Sequence, residues 1–590
     1  MKPVRLPAAA TRALPRLGLI ALCLLYILPG LVGRAPWKIE NDVSSFGIMW
    51  SMAHGTVHDW LMPHIANLSI PQEGPLTYWI GALCIKLTGW LIGDDNAAHI
   101  ANFLFFALGA SSIWFATYTL GRRSEAQPLK LAFGGQPEPH DFGRTLADGA
   151  LLIYMGSLGL LVHSHFTSPT TLLVALIGLT LYAVIRLFDI QPKQSRVSYK
   201  YALVLGLALG SLVLTRGYLP PLLLWLTCVL LAGSLTNHCL NGQQPQLVIQ
   251  CHQQLLSRLV VITLPVALLI VASWFFACML ADPSHYMDYV TGWLSWNRRE
   301  LFRPSYDSFH YFIKYSVWFT WPAWPFAGWA VYAWRKQTTA LHIALPLSFC
   351  ITLTGLALCS PHAEQSSLIP LLPPLAILAA FGLPTMKRSA INAVDWFSVT
   401  SFSIFAIFIW LSWIGLQTGW PKQLHYNAVK SMTGFTVQFS LPTFLVALIA
   451  TLGWLKLVHW RISRNPAVLW RAVVLSSSGV IMCWLLMMTL WMPWIDYRIS
   501  YQALAHDIAA KLPDNYRCVD TNATKAQRAS FAYFGAIRFA GTKDTNCDYF
   551  LIQRHQPKPA YYPDTTTQPI WQGNRVADKD ERFMLYKKAD

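Results

Sequence analysis

LGLIALCLLYILPGLVGRAPWKIENDVSSFGIMWSMAHGTVHDWLMPHIANLSIPQEGPLTYW, residues 17–79, joins two chemistries in one stretch. Its first half is apolar enough to sit in lipid. Its second half carries Asp42, Glu73, three histidines and several tryptophans. Composition extends the first half to most of the chain. Of 590 residues, 54% are hydrophobic and only 12% charged, whereas a soluble domain carries about 25% charged residues. Mean hydropathy is +0.38. Apolar runs recur from residue 14 to residue 494, at the roughly 17–25 residues needed to cross a hydrocarbon core. The expected class is therefore a polytopic α-helical membrane protein.

Lys2, Arg5, Arg12 and Arg16 precede the first apolar run, and no small-residue cleavage site follows it, so an uncleaved anchor is expected. The net charge of +17 comes from basic residues clustered at the ends of apolar runs. That is the positive-inside pattern and not a soluble basic patch, so nucleic acid is not an expected partner.

The topology turns on PLTYWIGALCIKLTGWLIG (75–93), which Lys86 and two glycines interrupt and which has Trp79 and Trp90 near its ends. Read as an interfacial helix, it places the basic loop 121–147 and all later basic clusters inside. The expected spans are then 14–33, 97–120, 147–164, 168–186, 201–215, 217–233, 258–280, 310–334, 339–358, 366–384, 396–417, 437–459 and 472–494, about thirteen in all. Three sizeable segments share the outer face: 34–96, 281–309 and the tail. The short inner loops carry no Walker or Rossmann fingerprint. The expected organisation is a transmembrane domain over 1–494, with 34–96 as its first periplasmic loop, and a small periplasmic α/β domain over 495–590.

In the tail, YQALAHDIAAKL reads as an amphipathic helix, and RCVDT, CDYFLIQ and RFMLYKK read as strands. Cys518 and Cys547 both fall in this exported part, where a disulfide between them is expected. The other nine cysteines lie in or near apolar spans or inner loops, where inert packing is the default.

The first outer loop offers the chemistry. Asp42, a few residues past span one, reads either as a general base or metal ligand at the membrane surface or as the N-cap of a helix starting near Ser44. Glu73 precedes an interfacial helix, whose dipole a carboxylate also complements. His54, His58 and His64 do not match a known ligand spacing. A divalent cation is left open, with no ligand set assigned. Trp50, Trp60 and Trp79 suit a membrane belt.

The order of features in this loop resembles the first periplasmic loop of GT-C class glycosyltransferases, near the lipid A aminoarabinose transferases and the protein O-mannosyltransferases. The matching positions are Asp42, Phe46, Gly55, Asp59-Trp60-Leu61-Met62-Pro63-His64, Glu73-Gly74-Pro75, Tyr78-Trp79 and Ala98-His99. YFIKYSVWFTWPAWP (311–325) and SSLIPLLPPLAILAAFG (366–382) resemble later spans of that class. The sequence also departs from it. One acid, Asp42, stands for the paired acids, and Gly74 stands where the class has a lysine expected to hold the donor phosphate. HSHFTSPTT (163–171) offers His163, His165 and Thr167 in place of a second acid, and His99 stands for an arginine. The pattern is that of a divergent subfamily.

The resemblance implies an enzyme of the bacterial inner membrane that moves a sugar from a polyprenyl-phosphate donor to an envelope acceptor: lipid A or lipopolysaccharide, another glycan, or a protein. Asp42 is then expected to deprotonate or orient the acceptor, and Glu73 to position substrate or support Asp42. With the class lysine missing, Arg298, Arg299 and Arg303 are the first candidates for the departing phosphate. His99, His163 and His165 come second, and Tyr78 joins the substrate-binding set. The arginine run also suits lipid headgroups. The competing classes are a transporter or flippase, disfavoured because the spans hold few mid-membrane acids and show no internal repeat, and a GT-C-like scaffold without catalysis.

Overall fold

The computed structural model describes residues 4–11, 14–130, 134–189, 195–239, 253–299, 304–361, 364–430, 432, 434–462, 468–541, 546–554, 568–575, 578 and 581–588. Among these, nine helices are long and apolar enough to cross a membrane, from Asp94–Gly121 to Ala472–Leu490. They overlap nine of the thirteen expected spans, several extending beyond the expected ends, as Gln253–Ala281 and Arg388–Thr418 do. The other four expected spans are short or interrupted. The first is a 12-residue helix, Arg16–Ile27, and 217–233 holds the shorter apolar helix Leu219–Gly233. The expected span 147–164 is broken between Pro139–Met155 and Leu158–His163, where a Cβ on Gly156 would lie 2.9 Å from Ser477 Oγ. The expected span 310–334 is divided into Tyr306–Phe319 and Ala323–Ala333 at Pro322, which has no N–H to continue the ladder.

The bundle centre is built by close approach of small residues. A Cβ on Gly109 of the Asp94–Gly121 helix would lie 3.3 Å from the Ala175 Cα of the Pro169–Phe188 helix. Large side chains such as Phe105, Phe106, Phe349 and Phe381 fill the space around this seam and are buried. Backbones can approach this closely only without intervening side chains, the usual basis of helix association in lipid.

At one end of the bundle the first loop folds as a compact unit. Its helix Glu40–His54 begins at Glu40, with Ile39 before it and no side-chain cap. Asp42 thus stands inside the first turn and is not the N-cap. A short helix, Val57–Leu61, follows with a reciprocal Thr56/Asp59 capping box. Then comes a hairpin of β1 (His64–Ile65) and β2 (Leu68–Ser69). Its two turn residues, Ala66 and Asn67, have φ of 44° and 69°, as a tight two-residue hairpin turn requires. The helix Leu76–Ile92 closes the loop, burying Tyr78, Ala82 and Ile85 and exposing Leu87, Trp90 and Leu91.

The tail forms a four-stranded sheet in the order β3 (Val519–Thr521), β4 (Tyr549–Gln553), β6 (Arg582–Lys587), β5 (Trp571–Asn574). β3 pairs parallel to β4, and the other pairs are antiparallel. Helices Gln502–Ala509 and Lys525–Phe534 pack on it through Leu504, Ile508 and Phe531 against Leu551, Phe583 and Leu585. The expected boundary at 494/495 falls within a helix, Met492–Ile499, that leads from the bundle into this unit.

A disulfide joins Cys518, beside β3, to Cys547, just before β4, across a sequence separation of 29. Closing a loop of that length restricts the unfolded chain by about 3–4 kcal/mol. The paired substitution Cys518→Ser/Cys547→Ser is expected to lower the tail's unfolding free energy by about that much, read by denaturant titration of the purified protein in nanodiscs.

Candidate active site

Two polar constellations lie on the same end of the bundle, on different faces of the Glu40–His54 helix. The first is closed. Asp42 and Arg34 are each 1% exposed and form a bidentate pair, Nη1 to Oδ2 at 2.6 Å and Nη2 to Oδ1 at 3.1 Å. The backbone N–H of Trp37 donates to Oδ2 at 3.1 Å, and that of Thr167 donates to Oδ1 at 2.7 Å. Each carboxylate oxygen therefore accepts two hydrogen bonds. Arg34 Nη2 also donates to the His165 carbonyl at 2.9 Å and lies 3.0 Å from His99 Nε2. His99 Nδ1 lies 2.8 Å from the Leu31 carbonyl. This contact assigns the ring proton to Nδ1 and leaves the Nε2 lone pair facing Nη2, whose two N–H groups are shared among Asp42, the His165 carbonyl and this nitrogen. The guanidinium also sits 4.6 Å from the Trp37 ring, a cation–π contact.

Asp496 ties the same segment from the tail side, accepting from Trp37 Nε1 at 2.6 Å. Burial pushes its carboxyl up to about 6, against the opposing pull of the Trp37 hydrogen bond and the Arg34 charge.

The second constellation is open. A cavity of about 170 Å³ is lined by Asn41, Ser44, Ser45, Gln72, Glu73, Tyr78, Arg216, Trp296, Glu364 and Lys525, with Ile48, Ile65 and Ile70 beneath. Glu73 is its central carboxylate. It is held in the left-handed region, φ 62°, a conformation that a non-glycine residue adopts only when its surroundings enforce it. Those surroundings are visible. Arg216 donates to Oε1, Tyr78 Oη donates to Oε2 at 2.9 Å, and Trp293 Nε1 donates to the Glu73 carbonyl at 2.8 Å. Gly74 is forced by contact: a Cβ there would lie 2.0 Å from the Leu214 carbonyl oxygen. No side chain, lysine included, fits at that position.

Arg216 and Trp296 also line a second, mainly apolar cavity of about 100 Å³, whose walls include Leu173, Ile177, Leu219, Leu353, Leu356 and Pro370. The mainly apolar cavity and the polar chamber thus share two wall residues, Arg216 and Trp296.

The expected site residues distribute across this geometry as follows. Glu73 and Tyr78 line the polar chamber, whereas Asp42 and His99 belong to the closed cluster. Arg298 and Arg299 end the helix Tyr286–Arg299 and are exposed, while their neighbours Trp296 and Asn297 line the mainly apolar cavity. Arg303 lies outside the described residues. His165 lies with its two ring nitrogens 2.6 Å and 3.0 Å from the carbonyls of Leu161 and Tyr26. His163 packs against Phe166 and Phe319. His58 and His64 lie beside Asp59, and His58 also meets Asp282. Among the described residues no group of three or more His, Cys, Asp or Glu side chains is placed to hold a metal ion.

Sequence reading missed Arg34, Gln72, Arg216 and Lys525. Arg34 and Arg216 look like ordinary basic residues at the ends of apolar runs. Lys525 is separated from Gln72 by 453 residues.

The fold is similar to that of a solved membrane-protein structure, and nine of the described helices are long and apolar enough to cross a membrane. The particular likeness is to ArnT from Cupriavidus metallidurans. Its apo crystal structure aligns with a TM-score of 0.59 at 15% identity over 97% of each chain. Its complex with undecaprenyl phosphate aligns at 0.62 and 14% identity, again over 97% of each chain. No protein-family model matches the chain, and no curated protein sequence matches it.

Removing one partner of a fully buried ion pair leaves the other charge uncompensated, at a cost of about 3–5 kcal/mol. Arg34→Met is expected to destabilise the protein by about that amount. Arg34→Met/Asp42→Asn, which removes both charges and keeps an amide oxygen to accept from a backbone N–H, should recover part of the loss in thermal melts. Asp496 gives a pH signature. Its folded pKa lies above the ordinary 3.8, so the native state binds the extra proton. The stability this contributes is complete below about pH 4 and is lost as pH rises through about 6. Asp496→Asn should therefore match wild type in melting temperature at pH 4 and exceed it at pH 7.5.

Proposed function

We propose that the protein transfers a sugar from a polyprenyl-phosphate donor to an envelope acceptor. The observation carrying this reading is that the mainly apolar cavity and the polar chamber lie on either side of the same two residues, Arg216 and Trp296, which line both. A ligand suited to it has an apolar tail, an anionic group at the join and a polar head. A polyprenyl-phosphate sugar has those three parts in that order. The likeness to a fold whose solved example, ArnT, holds undecaprenyl phosphate supports the same class of donor.

In the proposed reaction the bond from sugar C1 to phosphate oxygen breaks, and a bond from the acceptor's oxygen or nitrogen to C1 forms. The acceptor's proton passes to a carboxylate, and polyprenyl phosphate leaves with one additional negative charge. Two carboxylates line the chamber, Glu73 and Glu364; Glu73 is the one held by Arg216 and Tyr78, so we assign it the proton-accepting or acceptor-orienting role. Arg216, paired with it, faces the phosphate and offsets the growing charge. Asp42 takes a different part in this scheme. Its lone pairs are occupied by Arg34 and two backbone donors, so it positions the first turn of the helix carrying Asn41, Ser44 and Ser45 into the chamber. No step is routed through a metal. The basic residues at one set of run ends support an inner-membrane orientation with the first loop and the 495–590 domain in the periplasm.

Transfer from radiolabelled polyprenyl-phosphate sugars to the host's envelope fraction tests this. Glu73→Gln and Arg216→Gln are each expected to lower transfer by about 10²–10⁴-fold, with a melting-temperature loss too small to leave the protein unfolded at the assay temperature, checked by thermal melts of each variant. Transfer that survives both substitutions would sink the assignment of the chamber. Absence of transfer by wild type from every donor tried, with envelope sugars altered in a deletion strain, would favour a transport role.

A further inference from the structure

We propose that Lys525, from the tail, is part of the donor-phosphate site, so that the last hundred residues supply one of the cations of the reaction chamber. This rests on the polyprenyl-phosphate reading above and adds a residue to it that loop motifs do not contain.

The placement of Lys525 is built in several steps. It is the first residue of the helix Lys525–Phe534, whose start is fixed by the reciprocal Thr524/Gln527 capping box. That helix lies on the Glu40–His54 helix. A Cβ on Gly47 would come within 2.6 Å of the Ala529 Cβ, and Phe46 meets Tyr533 edge-on at 4.7 Å. Arg528, three residues on, grips the turn of the β1–β2 hairpin through the Ala66 carbonyl at 2.8 Å. With the helix so anchored, Lys525 Nζ donates to Gln72 Oε1. Gln72 directly precedes Glu73, and Lys525 shares the chamber wall with Glu73, Tyr78 and Arg216.

Charge supplies the reason. The donor phosphodiester enters with one negative charge and departs as a phosphomonoester with a second. Arg216 already faces the Glu73 carboxylate, so one guanidinium is shared between a fixed anion and a growing one. Position 74, beside Glu73, has no room for a side chain. Lys525 brings an ammonium to that wall from the other end of the sequence.

The test uses the full chain in nanodiscs, with undecaprenyl phosphate as the charged probe and undecaprenol, which has the same tail and no phosphate, as the neutral one. Lys525→Gln keeps a group able to hydrogen-bond Gln72 but removes the charge. Removing one charge-assisted contact should weaken undecaprenyl phosphate binding by about 10-fold or more. Undecaprenol affinity should be unchanged, and Lys525→Arg should stay within about three-fold of wild type for both probes. Equal undecaprenyl phosphate affinity in Lys525→Gln and wild type would overturn the proposal. So would parallel losses for both probes, which would mark Lys525 as a structural tie. If wild type itself fails to bind undecaprenyl phosphate, the donor reading falls first and this inference falls with it; that failure is read before any variant is compared.

Discussion

The bidentate pair between Arg34 and Asp42 sets the position of everything on the loop end of the molecule. It gathers five separate pieces: the end of the first apolar helix through Leu31 and His99, the Arg34–Trp37 turn, the first turn of the Glu40–His54 helix, the 165–167 segment and, through Trp37, Asp496. A buried pair of this kind contributes little net stability compared with apolar packing, because desolvation cancels most of the attraction. Its strength lies in geometry: two ions and their donors fit in one arrangement only. Sliding the helix by a residue would leave a carboxylate and a guanidinium unpaired in a dry environment, which is far more costly than the pair is favourable.

The chamber inherits that rigidity. Asn41, Ser44 and Ser45 reach it from the helix that Asp42 fixes, and Glu73 reaches it from a strained turn held by Arg216, Tyr78 and Trp293. The two carboxylates thus have separate environments. One is saturated and enclosed; the other is supported from behind while its side chain borders open space. That division suits a site where one acid must stay put and another must meet a substrate.

The helical class was legible because composition and run length are unambiguous in lipid, and three of the tail's strands were legible because β4 is a short continuous buried run and β6 retains partial alternation, whereas β5 (Trp571–Asn574) was not read. The loop's organisation was legible at Glu73-Gly74-Pro75 and Tyr78-Trp79. What could not be read was partnership. An arginine beside an apolar run has the same appearance whether it faces headgroups or a buried aspartate, so Arg34 and Arg216 went unnoticed while the exposed Arg298 and Arg299 drew notice. Asp42 stood out for its chemistry, yet nothing local says that Thr167, 125 residues away, donates to it. Interrupted spans were equally hidden: hydropathy runs straight through Gly156 and Pro322, where the helices stop.

The hairpin turn at Ala66–Asn67 has a temporal meaning. Its carbonyl and amide partners are Arg528 and Phe539, more than four hundred and fifty positions later in the chain. A ribosome delivers those residues long after the loop. Until then the Ala66 carbonyl and the Asn67 side-chain amide lack these two partners, so the seat of the turn is completed by chain made much later than the turn itself.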